Sequence, residues 1–191
     1  EELGAFLEEN VVSLENFQMG CIMEPTLDKR LTDLMLLISR SRARPSGQFI
    51  LQTNGILLHM HDPARMREAG LNEISVSIDA ADPATHKLLR GGTSIAKVGS
   101  NIAGFRKACP DVPVTFITTV TRVNLSAMKG LVEFGLDLGV GHFVMREVFY
   151  MPDNNIVDHS RMPDLLLRKG EFDAMASEIR ANFGDRASFL M

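Results

Sequence analysis

Phe17-Gln18-Met19-Gly20-Cys21-Ile22-Met23-Glu24-Pro25-Thr26-Leu27 holds a strand end, a turn and a helix start in one short stretch. The residues before it, Val11 to Phe17, read as a strand. Leu27 to Ile38 reads as an amphipathic helix, with Leu27, Leu31, Leu34, Leu37 and Ile38 at three- and four-residue spacing. The turn supplies what a backbone needs to pass close to a ligand. Gly20 has no Cβ, Pro25 has a fixed φ, and Glu24 is an acceptor. An ordinary strand-to-helix turn would carry the same residues.

Outward from this turn the chain alternates. Glu1 to Glu9 reads as a helix with Leu3, Phe6 and Leu7 on its apolar face. Ser41 to Gly47 is a polar loop. Phe49 to Gly55 is a strand closed by Asn54-Gly55. Asp62 and Asp82, each followed by proline, cap helices, and Gly70 ends the first of them. Ile74 to Asp79, Val114 to Thr121 and His142 to Phe149 are strands. Ile95 to Ala108 is a helix buried on Ile95, Val98, Ile102 and Phe105. Asn124 is read as the cap of a helix carrying Met128, Leu131, Val132 and Leu138. A long polar connection spans 150–170. A helix follows from Gly170 to Phe183, and Arg186 to Met191 opens a sixth strand. The chain is read as a single domain, 1–191.

Strands separated by helices pair in parallel through right-handed crossovers. That leaves an open doubly wound sheet or a βα barrel, complete or partial. The strands themselves favour the barrel. Strands covered by helices on both faces are nearly all apolar. Here Asn16 with Gln18, Gln52 with Asn54, Ser75 with Ser77 and Asp79, Thr115 with Thr119 and Thr121, and His142 with Arg146 each share one face. A polar face lining a lumen needs water or a polar ligand. In βα barrels ligands sit at the carboxyl ends of the strands, where Gly20, Asn54, Asp79 and Thr121 fall.

Composition sets mild bounds. Hydrophobic content is 45% and net charge is −4, so a full core is within reach and no nucleic-acid partner is indicated. No apolar run is long enough for a membrane span and no signal peptide is evident. Cys21 and Cys109 are isolated thiols without metal spacing, which points to a reducing, cytoplasmic setting. His59 and His61 flank Met60, but no third ligand is in sight, so no metal site is assigned. His142, Arg146 and Glu147 offer acid–base chemistry, with Arg146 the stronger contact candidate. Asp158-His159 reads as solvated surface, and the eleven methionines as packing filler.

The order GxxxEPTL (Gly20 to Leu27), TNG (Thr53 to Gly55), SIDA (Ser77 to Ala80) and LRGG (Leu89 to Gly92), each at a strand end or just after one, resembles the radical S-adenosylmethionine superfamily. It is closest to the branch with molybdenum-cofactor and peptide-maturing enzymes, over about Glu1 to Phe149. The resemblance implies an α/β fold, a partial (βα)6 TIM-like barrel with parallel strands. It implies S-adenosylmethionine and a 4Fe-4S cluster as cofactors, a small-molecule or peptide substrate, and an electron donor such as flavodoxin or ferredoxin. By the same resemblance Gly20, Glu24 and Pro25 stand at the turn that meets the cofactor's amino group. Thr53 and Asn54 face its pocket, Ser77 contacts its carboxylate or ribose, and Arg90 pairs with the carboxylate. Asp79 contacts ligand or caps a turn.

Two departures matter. Ile22 and Met23 stand where the family has paired glycines. The family's CxxxCxxC motif is absent, so no catalytic residue and no metal ligand is assigned in this chain. The expectation is a fragment truncated at the N-terminus and also at the C-terminus, inactive alone. The alternative is a non-catalytic binding or scaffold domain that lost its cluster. A βα-barrel enzyme of other chemistry would need a late phosphate-binding glycine loop, and Gly91-Gly92 comes too early.

Overall fold

The computed structural model describes residues 2–10, 14–20, 22–41, 43–149 and 162–191. Val11 to Ser13, Cys21, and Asp158-His159 with most of the long polar connection lie outside them. Six strands lie in one sheet, β1 (Phe17–Met19), β2 (Phe49–Thr53), β3 (Glu73–Ser77), β4 (Val114–Val120), β5 (His142–Glu147) and β6 (Ser188–Leu190), in chain order. Pairing is parallel between β1 and β2, β2 and β3, and β5 and β6. The order is open, with β1 and β6 at its edges. The helices are α1 (Glu2–Asn10), α2 (Leu31–Arg40), α3 (Pro63–Glu68), α4 (Pro83–Leu89), α5 (Ile95–Ala108), α6 (Met128–Asp137), α7 (Met162–Leu165) and α8 (Glu171–Phe183). Among the described residues no helix is long and apolar enough to cross a membrane.

The chain divides into two compact units. Glu1–Ser77 with Lys97–Thr115 form the first, and Ile78–Ala96 with Phe116–Met191 the second. In the first, the alternation of β2 buries Phe49, Leu51 and Thr53. Phe17 and Phe49, paired in register, meet edge to face at 5.5 Å. Buried Val98, Ile102 and Phe105 of α5 belong to the same core, as their spacing predicts. In the second unit, Phe143 lies edge-on to Phe116 and stacks on Phe189. A Cβ on Gly135 would come within 2.7 Å of the Phe143 ring, so α6 can approach β5 only with glycine there.

The structure departs from the sequence reading at several points, and β3 ends at Ser77 rather than Asp79. The helix after the first turn starts at Leu31. Pro25–Leu27 is a separate 3-10 turn capped by Glu24, whose carboxylate takes the Thr26 N–H. Leu27 is consequently 67% exposed, and Met35 and Leu36 are buried where Leu34 and Leu37 were expected. Asn124 makes no side-chain cap; a 3-10 turn, Leu125–Ala127, precedes α6. In α1 Leu7 is buried but Phe6 is 56% exposed. The sixth strand, α8 with buried Met175, Ile179 and Phe183, and the aspartate caps at Asp62 and Asp82 form as read.

Candidate functional site

In the first unit, Gly20, Glu24, Pro25, Thr53 and Asn54 come together. Gly20 has φ +92°, and a Cβ there would lie 2.2 Å from the Gln52 carbonyl oxygen and 3.2 Å from Pro25 Cδ. Its glycine therefore lets the turn press against the backbone of β2. Glu24 spans the gap. Its Oε1 accepts from the Thr26 N–H at 3.1 Å, the Thr26 hydroxyl at 2.6 Å and the Thr53 hydroxyl at 2.6 Å. Its Oε2 accepts from the Asn54 N–H at 2.6 Å. Charge-assisted bonds of this length are the strong ones. The carboxylate thus fastens the first turn to the Thr53-Asn54-Gly55 corner. Thr53 Oγ1 also accepts from the Gly55 N–H at 3.0 Å, and Asn54 Oδ1 from the Ile56 N–H at 3.0 Å.

Two residues support this corner that the motifs do not include. His61 is buried, and its Nε2 donates to the Thr26 carbonyl at 2.9 Å. The histidine read as half of a weak metal pair is a strut for the turn. Asn101 Nδ2 donates to the carbonyl oxygens of Gly55 and Ile56 at 2.8 and 2.9 Å. Its signal was in the sequence, a polar residue three after Val98 at helical spacing on a buried stripe. Ser77 ends β3 half-buried, and its hydroxyl has no hydrogen-bond partner among the described residues. The same holds for Asn54 Nδ2.

In the second unit Asp79 and Arg90 come together. Asp79 Oδ1 accepts from the Thr119 N–H at 2.9 Å, and Oδ2 lies 2.6 Å from Arg90 Nε. The Nε–H is not aimed at that oxygen, so the contact is a close charge pair rather than a formed hydrogen bond. Asn124 is wholly buried. Its Oδ1 accepts from the Thr121 N–H and hydroxyl, and its Nδ2 donates to the carbonyls of Asp79 and Thr119. It ties the end of one strand to the next and is neither a helix cap nor open to a ligand. Arg146 is exposed near the end of β5, on the face opposite buried Phe143 and Met145. His86 on α4 is buried; its Nε2 is 2.8 Å from Thr93 Oγ1, and burial, with Arg90 adding, pushes its pKa down.

The donors left open suit a polar ligand. In the first unit Asn54 and Ser77 can donate to hydroxyls or a carboxylate, and in the second unit, taken by itself, the arginines can bind a carboxylate; S-adenosylmethionine carries groups of both kinds. These residues do not fit a 4Fe-4S cluster. The sequence has two cysteines, and Cys109 is buried with its Sγ 3.3 Å from the Pro63 carbonyl. No group of three metal-ligating side chains occurs among the described residues.

Comparison with known proteins bears on the family and the fold. The AdoMet-dependent heme synthase of Methanosarcina barkeri is 34% identical over 112 residues, covering 58% of this chain and 31% of that protein. The GTP 3',8-cyclase of Parasynechococcus marenigrum is 37% identical over 150 residues, covering 69% of this chain and 42% of that protein. The chain thus spans less than half the length of either relative. Among solved structures, native anSMEcpe with bound AdoMet and Cp18Cys peptide superposes with a TM-score of 0.69 at 17% identity, covering 98% of this chain and 53% of that one. That likeness identifies the fold as the partial TIM-like barrel. The family model of the radical SAM superfamily matches residues 17–135, more than half of the chain. The chain belongs to the radical SAM superfamily.

Proposed function

We propose that this chain is the S-adenosylmethionine-binding core of a radical enzyme acting on a small-molecule or peptide substrate. The observation that carries the reading is the set of open donors at strand ends. Ser77 and Asn54 have side-chain donors without protein partners among the described residues, at the positions where the family motifs place cofactor contacts. Thr53 and Glu24 act one step back. Their oxygens are used within the protein, so they hold the Asn54 backbone and the turn in place. Arg90 offers its terminal nitrogens to the cofactor's carboxylate, and Arg146 serves cofactor or substrate. The cluster, with ligands from outside this sequence, would supply the electron that cleaves the cofactor to a 5′-deoxyadenosyl radical. The protein's part is to orient the sulfonium and exclude water. An electron donor of the flavodoxin or ferredoxin type and a cytoplasmic setting complete the proposal.

One observation favours a second reading. Ile22 is 97% and Met23 81% exposed where the family has paired glycines, as in a binding domain whose turn no longer serves a cofactor. One preparation separates the two. The full-length protein that carries this chain is purified without oxygen. Its iron and sulfide content and its reductant-dependent release of 5′-deoxyadenosine are then measured. Cluster and product are expected. A folded protein with neither would leave the binding-domain reading.

A further inference from the structure

Asp79 is the one carboxylate beside the Arg90 guanidinium among the ion pairs of the described residues. The backbone around it is hydrogen-bonded on both sides. The Ile78 N–H donates to the Ile117 carbonyl at 3.0 Å, and the Asp79 carbonyl accepts from Asn124 Nδ2 at 2.8 Å. Oδ1 of the carboxylate is engaged by the Thr119 N–H at 2.9 Å. Its remaining oxygen meets Arg90 at Nε, and the side chains are 9% and 26% exposed, the aspartate inside and the arginine reaching outward. The backbone of Arg90 is anchored as well. Its N–H donates to the His86 carbonyl at 2.8 Å, and its carbonyl accepts from the Thr93 hydroxyl.

A guanidinium is planar with five donors, so an acid set against Nε leaves the terminal nitrogens for a second acid. Those nitrogens have no partner among the described residues. A buried carboxylate left without its cation would also be costly, so the arginine is drawn to this side and not to solvent. We infer that Asp79 is a positioning residue: it touches no ligand itself, and it holds Arg90 so that the terminal nitrogens face the carboxylate of an amino-acid moiety. The inference rests on the reading that the chain binds S-adenosylmethionine, and it gives Asp79 a role distinct from cofactor contact.

The test compares S-adenosylmethionine with decarboxylated S-adenosylmethionine, which lacks only the acid that Arg90 would meet. Dissociation constants are measured by calorimetry on the full-length protein, with melting curves to establish folding. Asp79→Asn keeps an oxygen for the Thr119 N–H and removes the charge. It is expected to weaken S-adenosylmethionine binding about tenfold, the scale of one charge-assisted contact, and to leave the decarboxylated ligand unaffected. In an Arg90→Ala background Asp79→Asn should change nothing further. An equal loss for both ligands, or an additive loss in that background, overturns the inference. So does tighter S-adenosylmethionine binding in Asp79→Asn, which would make the aspartate a competitor for the arginine. If Asp79→Asn does not fold, Arg90→Lys decides. A lysine ammonium cannot serve two acids on separate edges, so the preference for the carboxylated ligand should fall about tenfold. A retained preference overturns the inference. Failure of the folded wild-type protein to bind S-adenosylmethionine overturns the functional reading and this inference with it.

Discussion

The Glu24 side chain makes more hydrogen bonds than that of any other motif position around it. Four donors converge on its two oxygens, from Thr26, Thr53 and Asn54. Glu24→Ala strands them in a half-buried corner. We expect a loss of about 2–4 kcal/mol in stability, the scale for leaving several polar groups unpaired, read as a shift in the urea midpoint with the slope unchanged. A loss under about 0.5 kcal/mol would mean that water replaces the carboxylate at no cost. His86 gives a pH-dependent signature. Burial, then Arg90, lowers its folded pKa below the ordinary 6.5. Between those two values the unfolded chain binds a proton that the native chain does not, so stability rises with pH there. The contribution is complete above the unfolded value and is lost as pH falls from about 6.5 through the folded pKa. Urea midpoints at pH 7.5 and 5.5 should differ more in the wild type than in His86→Gln. Equal differences would place the acid sensitivity in other groups.

Elements obey local rules until a long-range contact intervenes. The caps at Asp62 and Asp82 and the stripe of α5 follow from spacing alone. The start of α2 does not. Glu24, a good helix former by propensity, caps a 3-10 turn because its carboxylate also has partners on and beside β2, 29 and 30 residues away. That turn shifts the helix start to Leu31 and leaves Leu27 in water. The same strand governs Gly20. Gly20→Ala places a methyl 2.2 Å from the Gln52 carbonyl at φ +92°, so β1 must move off β2 or the turn must open. We expect a destabilisation of about 2 kcal/mol or more, beyond the 1–3 kcal/mol range's lower end for backbone strain alone. Amide exchange at Phe17 to Met19 should accelerate with it. Unchanged exchange there would show that the turn yields without disturbing the strand pair.

On the scale of the whole chain, the two compact units each have their own buried centre. Cys109 reports on the first. It is 1% exposed, its Sγ lies against the Pro63 carbonyl, and burial pushes its pKa up. Reaction with a thiol reagent then requires the segment after α5 to open away from Pro63. With Cys21 replaced by serine, labelling in native buffer should be at least about a thousandfold slower than in denaturant, as a domain stability of about 5 kcal/mol or more demands. Labelling within tenfold of the unfolded rate would mean that this unit opens locally and often.

Much of this was legible without coordinates. The βα alternation, the parallel pairing, the polar stripe on β2 and β5 and most core positions follow from periods of 2 and 3.6 and from capping chemistry, all of them properties of neighbouring residues. The motif order carried the family. The partners of the polar side chains were not legible. Glu24 meets Thr53, Asp79 meets Arg90 and the Thr119 backbone, Asn124 meets the Asp79 carbonyl, and His61 meets Thr26. Each pairing joins residues brought close only by how turns and strands stack. A buried carboxylate or amide accepts whichever donor that stacking delivers, so the sequence determined which groups needed partners and the tertiary structure decided which ones they found.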